Sequence, residues 1–91
     1  MRSRTSPESP LRRIRVYSRR GCHLCEVLIE DLLPLIRSHL ELEVRDIDTR
    51  PAWAENYGRR IPVVEYEGRA ICEFTLDRDA IRSIIAALPG S

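Results

Sequence analysis

Two cysteines separated by two residues, Cys22 and Cys25, have the residue type and spacing for thiol chemistry. They follow a short apolar run and precede a segment with helical apolar spacing. A thiol at a helix N-terminus lies near unpaired backbone N–H groups and the positive end of the helix dipole, which favour a thiolate. The pKa of such a thiol can fall to roughly 3.5–7.5. Cys22 is therefore the candidate nucleophile, and Cys25 is the candidate resolving thiol that attacks a mixed disulfide on Cys22.

Two other interpretations of this cysteine pair stay open. A structural zinc site needs about four ligands, and Cys72, His23 and His39 do not complete a familiar ligand spacing with the pair. The two cysteines could also be small buried residues without chemistry. A structural disulfide that closes so short a loop would gain little chain entropy. The spacing therefore favours thiol–disulfide exchange, and we predict no bound metal.

The elements around the pair can be predicted from apolar spacing. Imperfect alternation from Leu11 to Tyr17 predicts a strand, and Gly21 ends it. Helical spacing begins at Leu24, and Pro34 is expected to kink or break that helix. Residues 40–47 alternate cleanly between apolar and polar side chains, which predicts a second strand.

Turn and cap residues delimit the rest of the chain. A short helix is predicted with Asp48 or Thr49 as its cap, Pro51 in its first turn and Gly58 in a left-handed conformation at its end. Residues 61–74 read as two strands joined by a tight turn at positions 67 and 68. A last helix is expected to begin after Asp77.

The resulting order, β-α-β-α-β-β-α, predicts an α/β fold with a four-stranded mixed sheet flanked by helices. The first two strands, joined through a helix, should be parallel with a right-handed crossover. The later hairpin should add antiparallel strands. We expect one domain over residues 11–91, preceded by a disordered tail over residues 1–10, which carries no apolar periodicity.

Composition narrows the class of protein. The chain has 91 residues, 43% of them hydrophobic, and a formal net charge of +1. This balance provides no overall basic field for nucleic acid, and no apolar segment approaches the roughly 20 residues that cross a bilayer. No apolar region follows the basic N-terminus, so we expect no secretory signal. Three cysteines, two of them close together, favour functional thiols in the cytoplasm. We further expect a monomer without nucleic-acid or membrane partners.

Two motifs resemble those of a known family. The stretch "YSRRGCHLC" is similar to the glutaredoxin active-site stretch Tyr-Thr-Lys-x-Gly-Cys-Pro-Tyr-Cys, with Arg19 where that family has its lysine. Further on, "RIPVVEYEGRAI" is similar to the family's Thr-Val-Pro segment and the hairpin after it. From Leu11 to Leu88 the chain resembles a thioredoxin-fold, glutaredoxin-like protein. The nearest likeness is to short bacterial members with a Gly-Cys-x-Leu-Cys motif.

The resemblance implies a substrate site beside the cysteines. Pro62 matches the family's proline, which implies a cis Ile61–Pro62 bond lying against the cysteine pair. The backbone of Ile61 would then pair with an extended thiol substrate, as in strand addition. Arg19 would contribute a cation that binds a substrate carboxylate. By contrast Val16 stands where thioredoxins have a buried aspartate, so a proton shuttle of that kind is absent.

The chain departs from glutathione-using members at the end of its last strand. Cys72 and Glu73 stand where those members have a Gly-Gly pair that lets the backbone approach the ligand. Arg19 and Arg60 could still bind a glutathione carboxylate. We therefore expect no tightly bound cofactor, keep glutathione open as a co-substrate, and favour a protein disulfide as the partner.

Several neighbouring residues have two interpretations each. Arg20 adds positive charge near the pair, and His23 either stabilises the thiolate when protonated or is simply exposed. Cys72 is either a small packing residue or an extra redox thiol. Trp53 is expected to be a packing residue of its helix or a surface residue, in preference to part of a partner-docking patch.

The sequence thus predicts a thiol–disulfide oxidoreductase. Cys22 and Cys25 would exchange with a protein or glutathione-linked disulfide, and an unidentified reductant would restore the dithiol. Two alternatives remain: a redox-sensing, partner-binding module of the same fold, and a metal-binding domain.

Overall fold

The computed structural model describes residues 11–89, which form one mixed sheet and three α-helices. The elements in chain order are β1 (Arg12–Ser18), α1 (His23–Ile36), β2 (Leu40–Asp46), α2 (Pro51–Tyr57), β3 (Val63–Tyr66), β4 (Arg69–Glu73) and α3 (Arg78–Ala86). A 3-10 turn, Ile47–Thr49, precedes α2. The predicted order of elements and fold class are confirmed. The predicted tail, residues 1–10, lies outside the described residues.

The sheet has the strand order β2-β1-β3-β4. β1 pairs in parallel with β2, and Val16 lies opposite Val44 in that register. β1 pairs in the antiparallel direction with β3, which forms an antiparallel hairpin with β4. The hairpin turn has positive φ at both Glu67 and Gly68, 51° and 80°, as two-residue turns of type I′ require. The sheet therefore has the predicted mixture of parallel and antiparallel pairs.

The main core lies between one face of the sheet and the helices α1 and α3. Its buried members are apolar residues from the sheet and from the two helices: Ile14, Val16, Leu28, Leu32, Ile36, Leu40, Val64 and Ile81. The α1 members recur every four residues, so they form one stripe along the helix. Each such side chain contributes about 1.5–3 kcal/mol when it leaves water. This packing fixes α1, and hence its first turn, against the sheet.

A second apolar cluster occupies the opposite face, because successive strand residues point to opposite sides of a sheet. Tyr17, Ile47 and Val63 are its buried members. Trp53 and Tyr57 from α2 pack against them, and the Tyr17 and Tyr57 rings stack with centroids 3.9 Å apart. Trp53 is therefore a packing residue, one of the two roles expected for it.

The sequence predicted that Pro34 would kink or break α1, and the break does not occur. The helix continues from His23 to Ile36. Pro34 lies in the last turn, and the next regular bond, from Arg37 N–H to the Leu33 carbonyl, forms at 3.1 Å. Proline therefore removes one donor near the helix end, where little helix remains to be lost.

The predicted caps of α2 are also wrong. Its N-cap residue is Arg50, which makes no side-chain capping bond, although Pro51 does occupy the first turn. Gly58 ends the helix in a right-handed conformation with φ −54°. A Cβ atom there would lie 2.5 Å from the Ala54 carbonyl oxygen. Glycine is therefore favoured because this carbonyl leaves no room for a side chain, and not because the backbone is left-handed. At α3 the predicted Asp77 cap is confirmed, since its carboxylate accepts a bond from Ala80 N–H at 3.0 Å.

Candidate redox site

The cysteine pair lies at the first turn of α1. Cys22 is the N-cap residue, and its Sγ accepts a hydrogen bond from the Cys25 backbone N–H at 3.2 Å. The two residues form a disulfide, with Cα atoms 5.3 Å apart. Cys22 is partly exposed, whereas Cys25 is only 2% exposed. Cys22, whose accessible sulfur accepts a backbone hydrogen bond, fits the role of the attacking thiol. Cys25, whose side chain is buried, fits the role of the resolving thiol.

A sharp turn brings the chain from β1 into α1. Gly21 has a φ of 81°, in the left-handed region that glycine adopts without strain. The Cys22 N–H then donates to the Arg19 carbonyl at 3.1 Å, which closes the turn. A Cβ on Gly21 would touch nothing within 4 Å, so the requirement for glycine is conformational.

Pro62 lies at the same end of the sheet as the cysteines. It precedes β3, whose first residue, Val63, pairs with Tyr17 near the end of β1. The Ile61–Pro62 peptide bond is cis, as the family resemblance implied. The buried Pro62 carbonyl accepts a bond from the Phe74 N–H at 2.8 Å. This bond ties the end of β4 to the start of β3.

The Ile61 backbone is only partly available to a substrate strand. Its N–H donates to the Tyr57 carbonyl at 3.1 Å, and the Arg60 N–H shares that acceptor at 2.8 Å. Sequence reasoning missed this turn because it depends on how α2 ends. Strand addition at Ile61 would therefore rely on its carbonyl, or would first have to displace the bond to Tyr57.

Arg19, predicted to bind substrate, is paired with a carboxylate of its own chain. Its Nε and Nη2 atoms each lie 3.0 Å from a different oxygen of Asp48. Both side chains are exposed, and exposed pairs of this kind contribute only about 0–1 kcal/mol to stability. The pairing matters more for binding, because a substrate carboxylate would compete with Asp48.

Arg60 is paired in the same way with Glu73. Its Nη2 atom lies 2.6 Å from Glu73 Oε2, and its Nε atom lies 3.1 Å from that oxygen. The guanidinium hydrogen bond holds the pKa of Glu73 below its ordinary value. Arg60 also lies over the Tyr57 ring, 5.4 Å from its centroid. Both predicted carboxylate-binding cations are thus neutralised within the chain.

Arg20 and His23 lie beside the cysteine pair with exposed side chains. His23 is the first residue of α1, directly after the N-cap. The structure therefore places both residues in the predicted neighbourhood, with His23 exposed to solvent, which fits both of its proposed roles.

Cys72 is separate from the disulfide and belongs to the packing of the sheet. It lies in β4 opposite Val64 and packs against the main core. The side chain is partly buried, and burial raises the pKa of the thiol. These observations favour the packing role over that of an extra redox thiol. Within residues 11–89 there is no group of three or more His, Cys, Asp and Glu side chains arranged to hold a metal ion.

A groove beside the pair was missed by sequence reasoning. Leu24, Val27 and Phe74 line it with side chains that are 55%, 39% and 48% exposed. It lies between the start of α1 and the loop after β4, and it encloses about 180 Å³. The available signal was Val27, an apolar residue of α1 outside the every-fourth-residue stripe, and Leu24, which extends that stripe into the first turn.

A polar network lies on the face of the sheet opposite to α1. Tyr57 Oη and Tyr17 Oη lie 3.3 and 3.5 Å from the two oxygens of Glu65. Arg15 donates to Glu65 at 3.0 Å, and Arg45 donates to Tyr17 Oη at 3.2 Å. Burial, the hydrogen bond to Tyr17 and the nearby Glu65 charge raise the pKa of Tyr57 to about 12. The network stays intact as long as Tyr57 is neutral.

The mixed sheet, the disulfide at a helix start and the adjacent cis proline define a thioredoxin-fold protein of redox type. Residues 13–86 match the family model described as Glutaredoxin-like domain (DUF836). The chain therefore belongs to this glutaredoxin-like family. No helix in the described part of the chain has the length and apolar character to cross a membrane.

Solved structures show the same architecture. The solution NMR structure of protein Ne2328 from Nitrosomonas europaea is 38% identical and superposes with a TM-score of 0.72, covering 85% of this chain and 94% of its own. The X-ray structure of protein XcR50 from X. campestris is 28% identical with a TM-score of 0.63, covering 84% and 99%. A search of curated proteins found no match.

Proposed function

We propose that the protein is a thiol–disulfide oxidoreductase that cycles Cys22 and Cys25 between a dithiol and a disulfide. The observation that carries this proposal is the position of Cys22 as N-cap of α1, with its sulfur accepting the Cys25 N–H. Such a donor stabilises negative charge on sulfur, so the reduced Cys22 would be a nucleophile and also a good leaving group.

The reaction takes two exchange steps. The Cys22 thiolate attacks one sulfur of a substrate disulfide, forms a mixed disulfide and releases the first substrate thiolate, which takes up a proton. Cys25 then loses its proton and attacks Cys22 Sγ, which breaks the mixed disulfide and releases the second substrate thiol. Two electrons pass from the protein dithiol to the substrate. An external thiol reductant reverses these steps to regenerate the dithiol.

A protein disulfide is the substrate class that we favour over glutathione. Glutathione carries two carboxylates, yet Arg19 and Arg60 are paired with Asp48 and Glu73. Exposed pairs of this strength do not forbid glutathione, so it remains a proposed co-substrate of lower affinity. We propose that the protein acts as a monomer in the cytoplasm, without nucleic-acid or membrane partners, where thiol reductants are present.

A redox titration tests the proposed function. Purified protein would be equilibrated in glutathione buffers of varied ratio, alkylated and weighed by intact mass spectrometry. We expect a cooperative loss of two hydrogens that depends on both Cys22 and Cys25, at a potential within the roughly −270 to −120 mV range of related dithiols. A pair that stays reduced throughout, or that binds stoichiometric metal, would contradict the proposal.

Two variants separate catalysis from a redox switch. Cys22→Ser should abolish reduction of a model disulfide, whereas Cys25→Ser should accumulate a mixed disulfide on Cys22 because the resolving thiol is missing. A well-formed disulfide with no turnover of any substrate would instead identify the redox-sensing module of the same fold.

A further inference from the structure

We infer that the outer edge of β2 pairs in the antiparallel direction with β2 of a second copy of this chain, in a weak and reversible dimer. This interaction surface goes beyond the proposed function. The redox cycle needs only one pair of cysteines, so the monomer stays the unit that acts. Three observations carry the inference: a regular open edge, an exposed apolar side chain on it, and charges that complement themselves.

β2 is an edge strand, because the sheet of the described residues has the order β2-β1-β3-β4. It is seven residues long, Leu40–Asp46, and pairs with β1 without a register shift. The strand contains no proline and no lysine, which natural proteins place on edges to prevent pairing. Its outer row of backbone N–H and C=O groups is therefore a regular template for another strand.

The other edge strand, β4, is less suited to pairing. It has only five residues, and its register with β3 shifts between Val64 and Glu65. The strand ends at a turn in which Phe74 has a φ of 67°. Irregularities of this kind twist an edge and interrupt its ladder of hydrogen bonds. β2 is therefore the edge that is open to a partner.

Val44 gives the edge of β2 an apolar surface. It lies opposite Val16 of the main core, so its side chain is on the same face of the sheet as α1. It is nevertheless 48% exposed. In a symmetric antiparallel pair centred on Glu43, Val44 lies opposite Leu42 of the second copy. Such cross-strand apolar contacts stabilise a sheet and remove both side chains from water.

The charges of β2 match in the same register. Two-fold symmetry about Glu43 places Glu41 opposite Arg45 of the second copy, and the reverse pair forms as well. Opposite charges that face each other across two strands stabilise the pairing. The two Glu43 side chains also face each other, but Arg15 and Arg45 of the same chain already pair with each of them, at 3.3 and 2.8 Å.

Neighbouring registers are less favourable. Residues opposite each other share a face of the sheet, so a symmetric pair must be centred on a residue. Centring on Leu42 would place Glu41 opposite Glu43, which are both negative. Centring on Val44 would leave Glu41 beyond the end of the partner strand, since β2 ends at Asp46. The register about Glu43 therefore uses the whole strand and pairs opposite charges.

The pairing is compatible with the redox site. Because only one strand of each chain takes part, we expect a transient interface, below the roughly 1,200 Å² at which stable complexes begin. Cys22 follows the end of β1, which runs parallel to β2. An antiparallel pair of β2 strands thus places the two disulfides at opposite ends of the joined sheet, where each stays accessible.

Two charge variants of the full chain, alone and mixed, test the inference. In Glu41→Arg and in Arg45→Glu, like charges face each other twice in the symmetric pair. Each variant alone should therefore have a dimer dissociation constant on the order of tenfold higher than wild type. In an equimolar mixture the two substitutions restore opposite charges at both contacts, so association should return close to the wild-type level. Sedimentation velocity over a range of concentrations, with reductant present to exclude disulfides between chains, would measure it.

Arg69→Glu is the matched control, since it reverses the same charge on the other edge strand, and it should associate like wild type. Val44→Lys provides a second test in case Arg45→Glu does not fold, because Arg45 also contacts Tyr17 and Trp53. It should weaken association and leave the reduction of bis(2-hydroxyethyl) disulfide unchanged. Three results each overturn the inference: a wild type that stays monomeric at its highest soluble concentration, association unchanged in Val44→Lys, or no recovery when the folded charge variants are mixed.

Discussion

Two thiol regions of this protein differ although both lie close to the same end of the sheet. Cys22 follows β1 and caps a helix, where its sulfur accepts a backbone N–H. Cys72 lies inside β4, opposite Val64, and packs against the apolar core. One environment stabilises negative charge on sulfur and the other opposes it. Reactivity therefore depends on backbone donors and solvent access, and the residue type alone does not indicate it.

Alkylation of the reduced protein tests this comparison most strongly. At pH 7 we expect iodoacetamide to modify Cys22 at least about 100-fold faster than Cys72, because only a thiolate reacts. Burial raises the pKa of Cys72, whereas the first turn of α1 stabilises the Cys22 thiolate. Peptide mapping by mass spectrometry after timed quenching would give both rates.

Cys72→Ala supplies the control for that experiment. It should leave the alkylation rate of Cys22 and the reduction of a model disulfide within about twofold of wild type, since Cys72 serves packing. Equal alkylation rates at Cys22 and Cys72 would mean that the helix start does not activate its cysteine.

The sequence predicted the features that depend on local pattern. Alternation and helical spacing predicted β1, α1 and β2, turn and cap residues predicted the later elements, and Glu67-Gly68 predicted the hairpin turn. The position of Cys22 at a helix start also followed from the chain, because a glycine turn separates a strand pattern from a helical one. The cis bond before Pro62 came from the family resemblance, since the local sequence does not distinguish it from a trans bond.

Features that depend on distant partners were not predictable. Asp48 lies 29 residues from Arg19, and Glu73 lies 13 residues from Arg60, so no local pattern indicates that these cations are paired. The turn at Phe74, whose φ is 67°, likewise includes a contact with a distant residue, the bond from its N–H to the Pro62 carbonyl. The pairing of Arg19 and Arg60 bears on the substrate that we propose, which explains why the sequence indicated the chemistry more firmly than the partner.

A second test concerns Glu73, the neighbour of Cys72 that points away from the core toward Arg60. Glu73→Gln would release the Arg60 guanidinium, which lies two residues before Pro62 in the chain. We expect oxidation of the reduced pair by glutathione disulfide to become about two- to fivefold faster at low salt, the range that an exposed charge pair supplies. Stopped-flow measurement of the protein's intrinsic fluorescence would follow it, and added salt should reduce the gain.

Glu67→Gln is the matched control for charge. This substitution also releases an arginine, because Glu67 pairs with Arg12 at 2.8 Å. Glu67 lies in the hairpin turn, however, at the opposite end of β3 and β4 from Pro62. No change is expected in the rate with glutathione disulfide. A similar gain in both variants would show that net charge, and not Arg60, governs the rate.

The smallest effect at neutral pH is expected from Tyr57, whose ring stacks on Tyr17 of β1. The folded protein raises the pKa of this phenol to about 12 from an ordinary value of 10. The neutral phenol is therefore favoured by folding, and its contribution to stability is fully present below pH 10. That contribution is lost as the pH rises from 10 toward about 12. Urea unfolding at several pH values in this window would measure the decline.

Tyr57→Phe should weaken that decline, because phenylalanine has no proton to lose. At neutral pH the variant should cost only about 1 kcal/mol, the net value of one hydrogen bond. Tyr66→Phe is the control, since Tyr66 packs against the main core and not in the second cluster, and it should keep the wild-type pH dependence. If all three proteins lose stability in parallel, the proton of Tyr57 does not contribute to the pH dependence, and the phenol network does not stabilise the second cluster.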